Sequence, residues 1–193
     1  MTEISVTASS RISIPPAPPD RWMPTRAGLI ALWRYWDETF TFHQGRLLLR
    51  GPNGSGKSMA LELLLPFLLD GDASPNRLTS SGKSRGSLYE RVMGGSDDPG
   101  RTGFAWVEFR RRSGEVFTIG ARLRASSSSR KVEPTFFTTS QIVGMDLHLL
   151  DEVREPVSVK ALKLAVRRDG LHWPHRDGLK WPHPSSGFLV FVS

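Results

Sequence analysis

One octapeptide constrains the fold of this chain more than any other segment: Gly51-Pro52-Asn53-Gly54-Ser55-Gly56-Lys57-Ser58. It fits the pattern G-x-x-x-x-G-K-[ST] at every fixed position, with an apolar stretch before it and an apolar helical stretch after it. Gly54 and Gly56 can adopt backbone angles that other residues avoid, so successive amides can turn inward around a phosphate. The Lys57 ammonium would contact the β- and γ-phosphates and the Ser58 hydroxyl would bind Mg²⁺. The pattern therefore predicts that a nucleoside triphosphate binds here.

The segments around the octapeptide predict a strand, a loop and a helix in succession. Residues 39–42 alternate polar and apolar side chains, which is typical of a half-buried strand. Residues 46–50 place three leucines between two arginines and predict a second strand, covered on both faces. Residues 59–69 are apolar at nearly every position and predict a buried helix that bends near Pro66. A further short helix is expected near residues 87–93.

An antiparallel hairpin is the clearest element of the second half of the chain. Residues 104–109 are strand-like, residues 112–114 are turn-like, and apolar side chains at 117, 119, 121 and 123 alternate with Thr, Gly and Arg. This alternation predicts one buried face and one basic face. A third strand is expected within residues 135–143.

The hairpin carries five arginines that are candidates for contact with DNA: Arg110, Arg111, Arg112, Arg122 and Arg124. Such a face could follow a DNA backbone. The alternative is an ordinary solvated strand face. The net charge of +7, from 26 Lys and Arg against 19 Asp and Glu, permits an anionic partner but also serves solubility.

Composition excludes several classes of protein. Hydrophobic residues make up 38% of the 193 residues and charged residues 23%, which fits a soluble chain that buries a core. The absence of cysteine excludes disulfides, zinc–thiolate sites and cysteine nucleophiles. No apolar run reaches the roughly 18–20 residues of a membrane-spanning helix, so no membrane partner is expected. The N-terminus lacks the apolar core of a secretory signal, which predicts a cytoplasmic protein.

Three regions differ in composition. Residues 1–20 are rich in Ser and Thr and then in Pro, which predicts a flexible lead-in. Residues 21–165 are expected to form the folded domain. Residues 166–193 form a tail in which the octapeptide 168–175 is repeated at 176–183 with one difference. The tail is expected to be unstructured, the alternative being a metal site of His172, His175 and His183.

Candidates for catalytic roles are fewer and less specific. Asp151 and Glu152 end the only string that resembles a Walker B motif, in which they would position Mg²⁺ and activate water. An exposed acidic turn is the alternative. Gln141 is a candidate for a glutamine near the γ-phosphate, or an ordinary strand-end residue. Arg77 lies twenty positions after Lys57 and is a candidate for contact with nucleotide or DNA, or an ordinary loop arginine.

The octapeptide and its neighbours together resemble a known family. The order of an aromatic strand region, Gly51–Ser58, a buried helix and an antiparallel β-lobe resembles the N-terminal half of the ATPase head of SMC-type ABC proteins. Three strings resemble the SMC-like ATPase subunit of type II Wadjet plasmid-defence systems: RWMPTRAGL (21–29), GRLLLR (45–50) and ALELLLPFLLDG (60–71). The resemblance covers about residues 21–165.

This resemblance implies an α/β fold, the N-terminal lobe of a P-loop NTPase with an antiparallel β subdomain, and an ATPase that uses ATP and Mg²⁺ and engages double-stranded DNA. Family members complete the active site with a C-terminal half-head, and two heads sandwich ATP. The partners that the family implies are a second SMC-like protomer, a kleisin, winged-helix subunits and a nuclease.

The chain also departs from the family pattern. No sustained heptad pattern follows Leu164 and no second half-head is present in the sequence. We therefore expect a truncated or frameshifted product, or a piece completed by another chain, with little ATP hydrolysis on its own. Two alternatives stay open. One is a compact P-loop kinase in which Asp151 serves Mg²⁺, and the other is a non-catalytic nucleotide-binding remnant.

Overall fold

A computed structural model describes residues 21–64, 68 and 87–167 of the chain. These residues form a mixed α/β fold with five strands and three helices. The expectations for residues 1–20, for the bend at Pro66, for Arg77 and for the repeated octapeptide lie outside the described residues. No helix in the described part of the chain is long and apolar enough to cross a membrane.

The elements follow one another in the order β1 (Met23–Leu32), β2 (Tyr35–Thr41), α1 (Lys57–Leu64), α2 (Leu88–Met93), β3 (Gly100–Arg110), β4 (Val116–Ser126), β5 (Lys131–Thr139) and α3 (Val159–Arg167). The strands form one antiparallel sheet in the order β2-β1-β3-β4-β5. β2 and β5 are its edges. The predicted strand at 39–42 is therefore confirmed as the end of β2.

The predicted hairpin is confirmed as β3 and β4. Their register runs without a shift from Gly100 opposite Ser126 to Arg110 opposite Val116. The third strand, β5, pairs with β4 and starts four residues before the predicted position. The strand ends at Thr139 and does not reach Val143. Val143 instead forms an isolated bridge with Leu147.

The sheet is packed on both faces. On its first face, alternate residues such as Val107, Phe109 and Ile119 pack against α1 and α2. On its second face, Phe104 and Phe137 pack with the segment 143–150 and with α3. Each large apolar side chain buried in this way contributes about 1.5–3 kcal/mol. The elements that cover the second face lie after the last strand in the chain.

The predicted basic face of the hairpin is this second face, and the layer that follows β5 covers part of it. Thr118 is fully buried on the second face and Gly120 is buried beside it. Gly120 lies under the ring of Phe137, and a Cβ atom there would lie 2.3 Å from that ring. Likewise, a Cβ atom at Gly28 would lie 2.4 Å from the indole of Trp106. The two glycines leave room for these aromatic rings close to the strands.

The predicted strand at residues 46–50 is absent from the sheet. Arg46 forms an isolated bridge with His43, and residues 47–50 have no regular secondary structure. Leu47 and Leu49 pack partly against the first-face core, whereas Leu48 is 37% exposed. The prediction that residues 46–50 are covered on both faces was therefore wrong. A strand needs a hydrogen-bonded neighbour, and no strand of the described residues lies beside this segment.

The two helices on the first face begin in different ways. α1 begins at Lys57, as predicted, and buries Ala60, Leu63 and Leu64. α2 confirms the short helix expected near residues 87–93. It begins with a capping box in which Ser87 and Glu90 satisfy each other's backbone amides, and it ends at Gly94 in the left-handed region.

A buried ion pair joins the two helices. Arg91 Nη2 of α2 lies 3.0 Å from Glu62 Oε2 of α1, with side chains that are 1% and 12% exposed. Burial lowers the pKa of the Arg91 guanidinium, and the Glu62 carboxylate partly offsets this.

Candidate phosphate-binding loop

The octapeptide Gly51–Ser58 forms a loop that leads from residues 47–50 into α1. Gly54 and Gly56 have φ values of 82° and 96°, in the region that favours glycine. The helix starts where the loop ends, since Ala60 N donates to Gly56 O at 2.9 Å. Residues 51–55 of the loop are exposed, so the loop backbone is open to a ligand.

The side chain of Lys57 turns back into this loop. Its ammonium donates to Gly51 O at 2.7 Å, to Pro52 O at 2.9 Å and to Ser55 Oγ at 3.3 Å. Three neutral, exposed oxygens of the loop therefore hold the Lys57 ammonium at the mouth of the loop. A phosphate group that entered the loop could replace these neutral acceptors with charged ones, which bind an ammonium more strongly.

The first turn of α1 suits an anion. It contains no acidic residue, and its leading residues are Lys57 and Ser58. The first amides of a helix have no partner within the helix and carry the positive end of its dipole. The Ser58 hydroxyl is exposed at this end and is available as an oxygen ligand for Mg²⁺. These residues fit a triphosphate with its metal ion. The described residues contain no group of three or more His, Cys, Asp or Glu side chains that would hold a metal by themselves.

Trp33 in the β1–β2 turn and Tyr35, the first residue of β2, support the loop. Tyr35 Oη donates to Gly56 O at 3.0 Å. A Cβ atom at position 56 would lie 2.5 Å from this hydroxyl and 2.6 Å from the ring of Trp33. The two rings pack with centroids 5.7 Å apart. Glycine is thus required at 56 for close approach as well as for its backbone angle.

Burial raises the pKa of the Tyr35 hydroxyl above its usual 10.0, and the Glu38 carboxylate raises it further. The phenol therefore stays protonated and donates to the loop at neutral pH. Sequence reasoning missed this support. The available signal was the high density of aromatic residues between 22 and 42, which does not reveal a contact across 21 positions.

The structure places Asp151 and Glu152 in an exposed turn. Asp151 Oδ1 accepts from the amides of Val153 at 3.0 Å and Glu155 at 2.8 Å. The residues before it form only isolated bridges and belong to the layer on the second face. No hydrogen bond of the described residues joins Asp151 to residues 51–58, and its role beside Mg²⁺ stays a prediction.

Gln141 lies in the same second-face layer. Its side-chain amide donates to Ala165 O of α3 at 3.4 Å, and its backbone amide donates to Thr139 Oγ1 at 3.1 Å. Within the described residues, these hydrogen bonds tie Gln141 to β5 and α3, and none ties it to residues 51–58. A role beside the γ-phosphate stays a prediction.

The five candidate DNA-contacting arginines lie in two separate groups. Arg110 pairs with the buried Glu108 at 3.2 Å, Arg111 pairs with Glu115 at 3.3 Å, and Arg112 is exposed at the hairpin turn. Arg124 lies eight residues along β4 from the partner of Arg110, which is about 27 Å at the rise of an antiparallel strand. The two groups therefore do not form one continuous patch.

Arg122 has a role within the fold. Its Nε donates to Val157 O at 3.1 Å and its Nη2 to Thr102 Oγ1 at 3.4 Å. Burial lowers the pKa of its guanidinium, Arg124 lowers it further, and Glu133 acts in the opposite direction. Of the second group, only Arg124 is exposed.

The chain was compared with models of known protein families and with curated proteins, and neither comparison finds a match.

Proposed function

We propose that this chain is a nucleotide-binding module that holds ATP and Mg²⁺ at residues 51–58, as the N-terminal part of an SMC-like ATPase. The observation that carries the proposal is the Lys57 ammonium, held at the mouth of a glycine-rich loop that opens into a helix N-terminus. The loop carries backbone amides, one cation and one hydroxyl, which are the kinds of group that a triphosphate with Mg²⁺ requires.

Each part of the loop has a distinct role in this proposal. In this proposal the amides of Gly54 and of residues 56–58 face the phosphates, while the Ser55 amide donates to Pro52 O within the loop. Lys57 leaves its carbonyl partners to contact the β- and γ-phosphates. Ser58 supplies an oxygen to Mg²⁺. Tyr35 fixes Gly56 from the side opposite the ligand, so the loop is held in place before the nucleotide arrives.

Hydrolysis is proposed to need a second polypeptide. The Asp151 carboxylate accepts hydrogen bonds within its own turn, and no hydrogen bond of the described residues joins an acidic side chain to the loop. Segment 47–50 also lacks a neighbouring strand within the described residues. Both features fit a half-head completed by a complementary C-terminal half or a second protomer.

The wider setting of this proposal follows from the sequence resemblance alone. It comprises a cytoplasmic, DNA-engaged complex for plasmid defence or chromosome maintenance, with a kleisin, winged-helix subunits and a nuclease. The kinase alternative needs Asp151 beside the loop, and the second-face position of its turn disfavours that role.

Calorimetry tests the proposal. Wild-type chain titrated with Mg-ATP is expected to give saturable heat with about one site per chain, and Lys57→Ala should reduce affinity by about tenfold or more because charged hydrogen bonds are lost. Lys160→Ala, on the exposed side of α3, is the matched control and should bind as wild type does. Equal affinity in a folded Lys57→Ala variant would refute the proposed role of the loop.

A further inference from the structure

A cleft of about 520 Å³ lies at the end of the sheet remote from the hairpin turn. Four segments build it: the end of β1, the exposed residue Trp36 on β2, the approach to β3 and the turn before α3. Its lining residues include Trp36, Asp98, Arg101 and Glu155. This volume is within the range of small-molecule sites, roughly 300–1,000 Å³.

The charged groups of the cleft favour a cation. Glu155 is exposed, and no side-chain hydrogen bond or ion pair of the described residues engages its carboxylate. Asp98 accepts the Ser96 hydroxyl through one oxygen, which leaves the other oxygen available. Arg101, the one cation among the lining residues, uses Nη1 to donate to Trp33 O at 2.8 Å and Met93 O at 3.1 Å. Arg101 thus links residues of the cleft wall, while the carboxylates of Asp98 and Glu155 would repel an anion.

Trp36 adds an aromatic face to these carboxylates. Three other tryptophans of the described residues each carry a guanidinium at 4.6–5.5 Å: Arg111 on Trp22, Arg34 on Trp33 and Arg26 on Trp106. Trp36 is 46% exposed, and no such contact is observed for it within the described residues. An open indole beside unpaired carboxylates is a favourable environment for a planar cation.

We propose that this cleft binds a guanidinium group, stacked on Trp36 and hydrogen-bonded to Asp98 and Glu155. A guanidinium suits the cleft better than an ammonium because it is planar, weakly hydrated and able to donate to two carboxylates at once. The group belongs either to a free arginine-like small molecule or to an arginine side chain of a polypeptide. The proposal is independent of nucleotide binding at residues 51–58.

Binding of two probes to the full chain tests this proposal. Calorimetric titrations with n-butylguanidine and with N-acetyl-arginine amide, which both carry one positive charge, are expected to give affinities near 1 mM, the range for a ligand with few contacts. Stronger binding of n-butylguanidine would identify the small molecule as the source. Similar or stronger binding of the amide would identify a polypeptide side chain. The absence of saturable binding for both probes would overturn the proposal.

Substitutions of the cleft residues test where the probes bind. Glu155→Gln should weaken binding by about tenfold, as expected for a charged hydrogen bond, and Trp36→Ala by about threefold. Glu133→Gln on β5 and Leu164→Ala on α3 are exposed controls outside the cleft and should bind as wild type does. Unchanged affinity in both cleft variants would overturn the proposal, as would equal affinity for n-butylamine, which has no guanidinium.

Discussion

The five-stranded sheet and the loop at residues 51–58 are stabilised in different ways. The sheet has ladders on both sides of its three central strands and apolar cores on both faces. The loop is exposed, lies outside every ladder, and is positioned by α1 and by the two aromatic residues Trp33 and Tyr35. Substitutions in the sheet and its packing layers should therefore reduce stability, whereas substitutions in the loop should reduce binding at little cost to stability.

The largest loss of stability is expected for Arg91→Ala. This substitution leaves Glu62 partly buried without its partner, and breaking a buried pair costs about 3–5 kcal/mol. Urea unfolding measures the change. Arg154→Ala is the matched control because it breaks an ion pair of similar length, 2.9 Å to Asp37, with side chains that are 64% and 40% exposed. It should cost less than about 1 kcal/mol. Equal losses would show that burial of the pair does not decide its effect.

Gly120→Ala should have the next largest effect. The added methyl group would lie 2.3 Å from the ring of Phe137, so the ring must move within a packed layer. Overpacking of this kind costs about 1–3 kcal/mol. Thermal or urea unfolding checks it, with Ser129→Ala in the exposed turn after β4 as the control, expected within about 0.5 kcal/mol of wild type. A neutral effect at Gly120 would mean that the second face is loosely packed.

Tyr35→Phe tests the link between sheet and loop. Loss of the hydrogen bond to Gly56 O should cost about 0.5–1.5 kcal/mol. Burial raises the pKa of Tyr35 above the usual 10.0. The wild-type chain therefore loses stability as the pH rises from 10.0 through the raised pKa. The difference in unfolding free energy between wild type and Tyr35→Phe should become smaller over this pH range. Urea unfolding at about pH 8 and about pH 11 measures this difference. A constant difference would contradict the burial of the hydroxyl.

The smallest effect on stability is expected for Lys57→Ala. Its ammonium bonds only exposed loop oxygens, so the free energy of unfolding should change by less than about 0.5 kcal/mol. Urea unfolding without nucleotide gives this value. A loss comparable to that of Gly120→Ala would mean that the loop contributes to the fold as the sheet does.

Much of the fold could be predicted from local sequence patterns. Alternation predicted the β3–β4 hairpin, and the position of the octapeptide predicted the start of α1. The second-face layer was missed because residues 143–166 fold back over strands far earlier in the chain. The leucines at 47–49 are typical of a buried strand, but composition does not reveal whether a neighbouring strand is present.

For the candidate site, spacing alone located the loop and its lysine. The support from Tyr35 depends on a tertiary contact that no local pattern encodes. The separation of the hairpin arginines into two groups also required the register, since their proximity in sequence suggested a single face.

The most direct test of the central claim is an amide-resolved NMR titration of the wild-type chain with Mg-ATP, compared with adenosine. If the loop holds the triphosphate, the largest shift changes should occur at the amides of residues 54–58, and adenosine should leave them unchanged because it has no phosphate. Unchanged amides at 54–58 in the presence of saturating Mg-ATP would contradict the account.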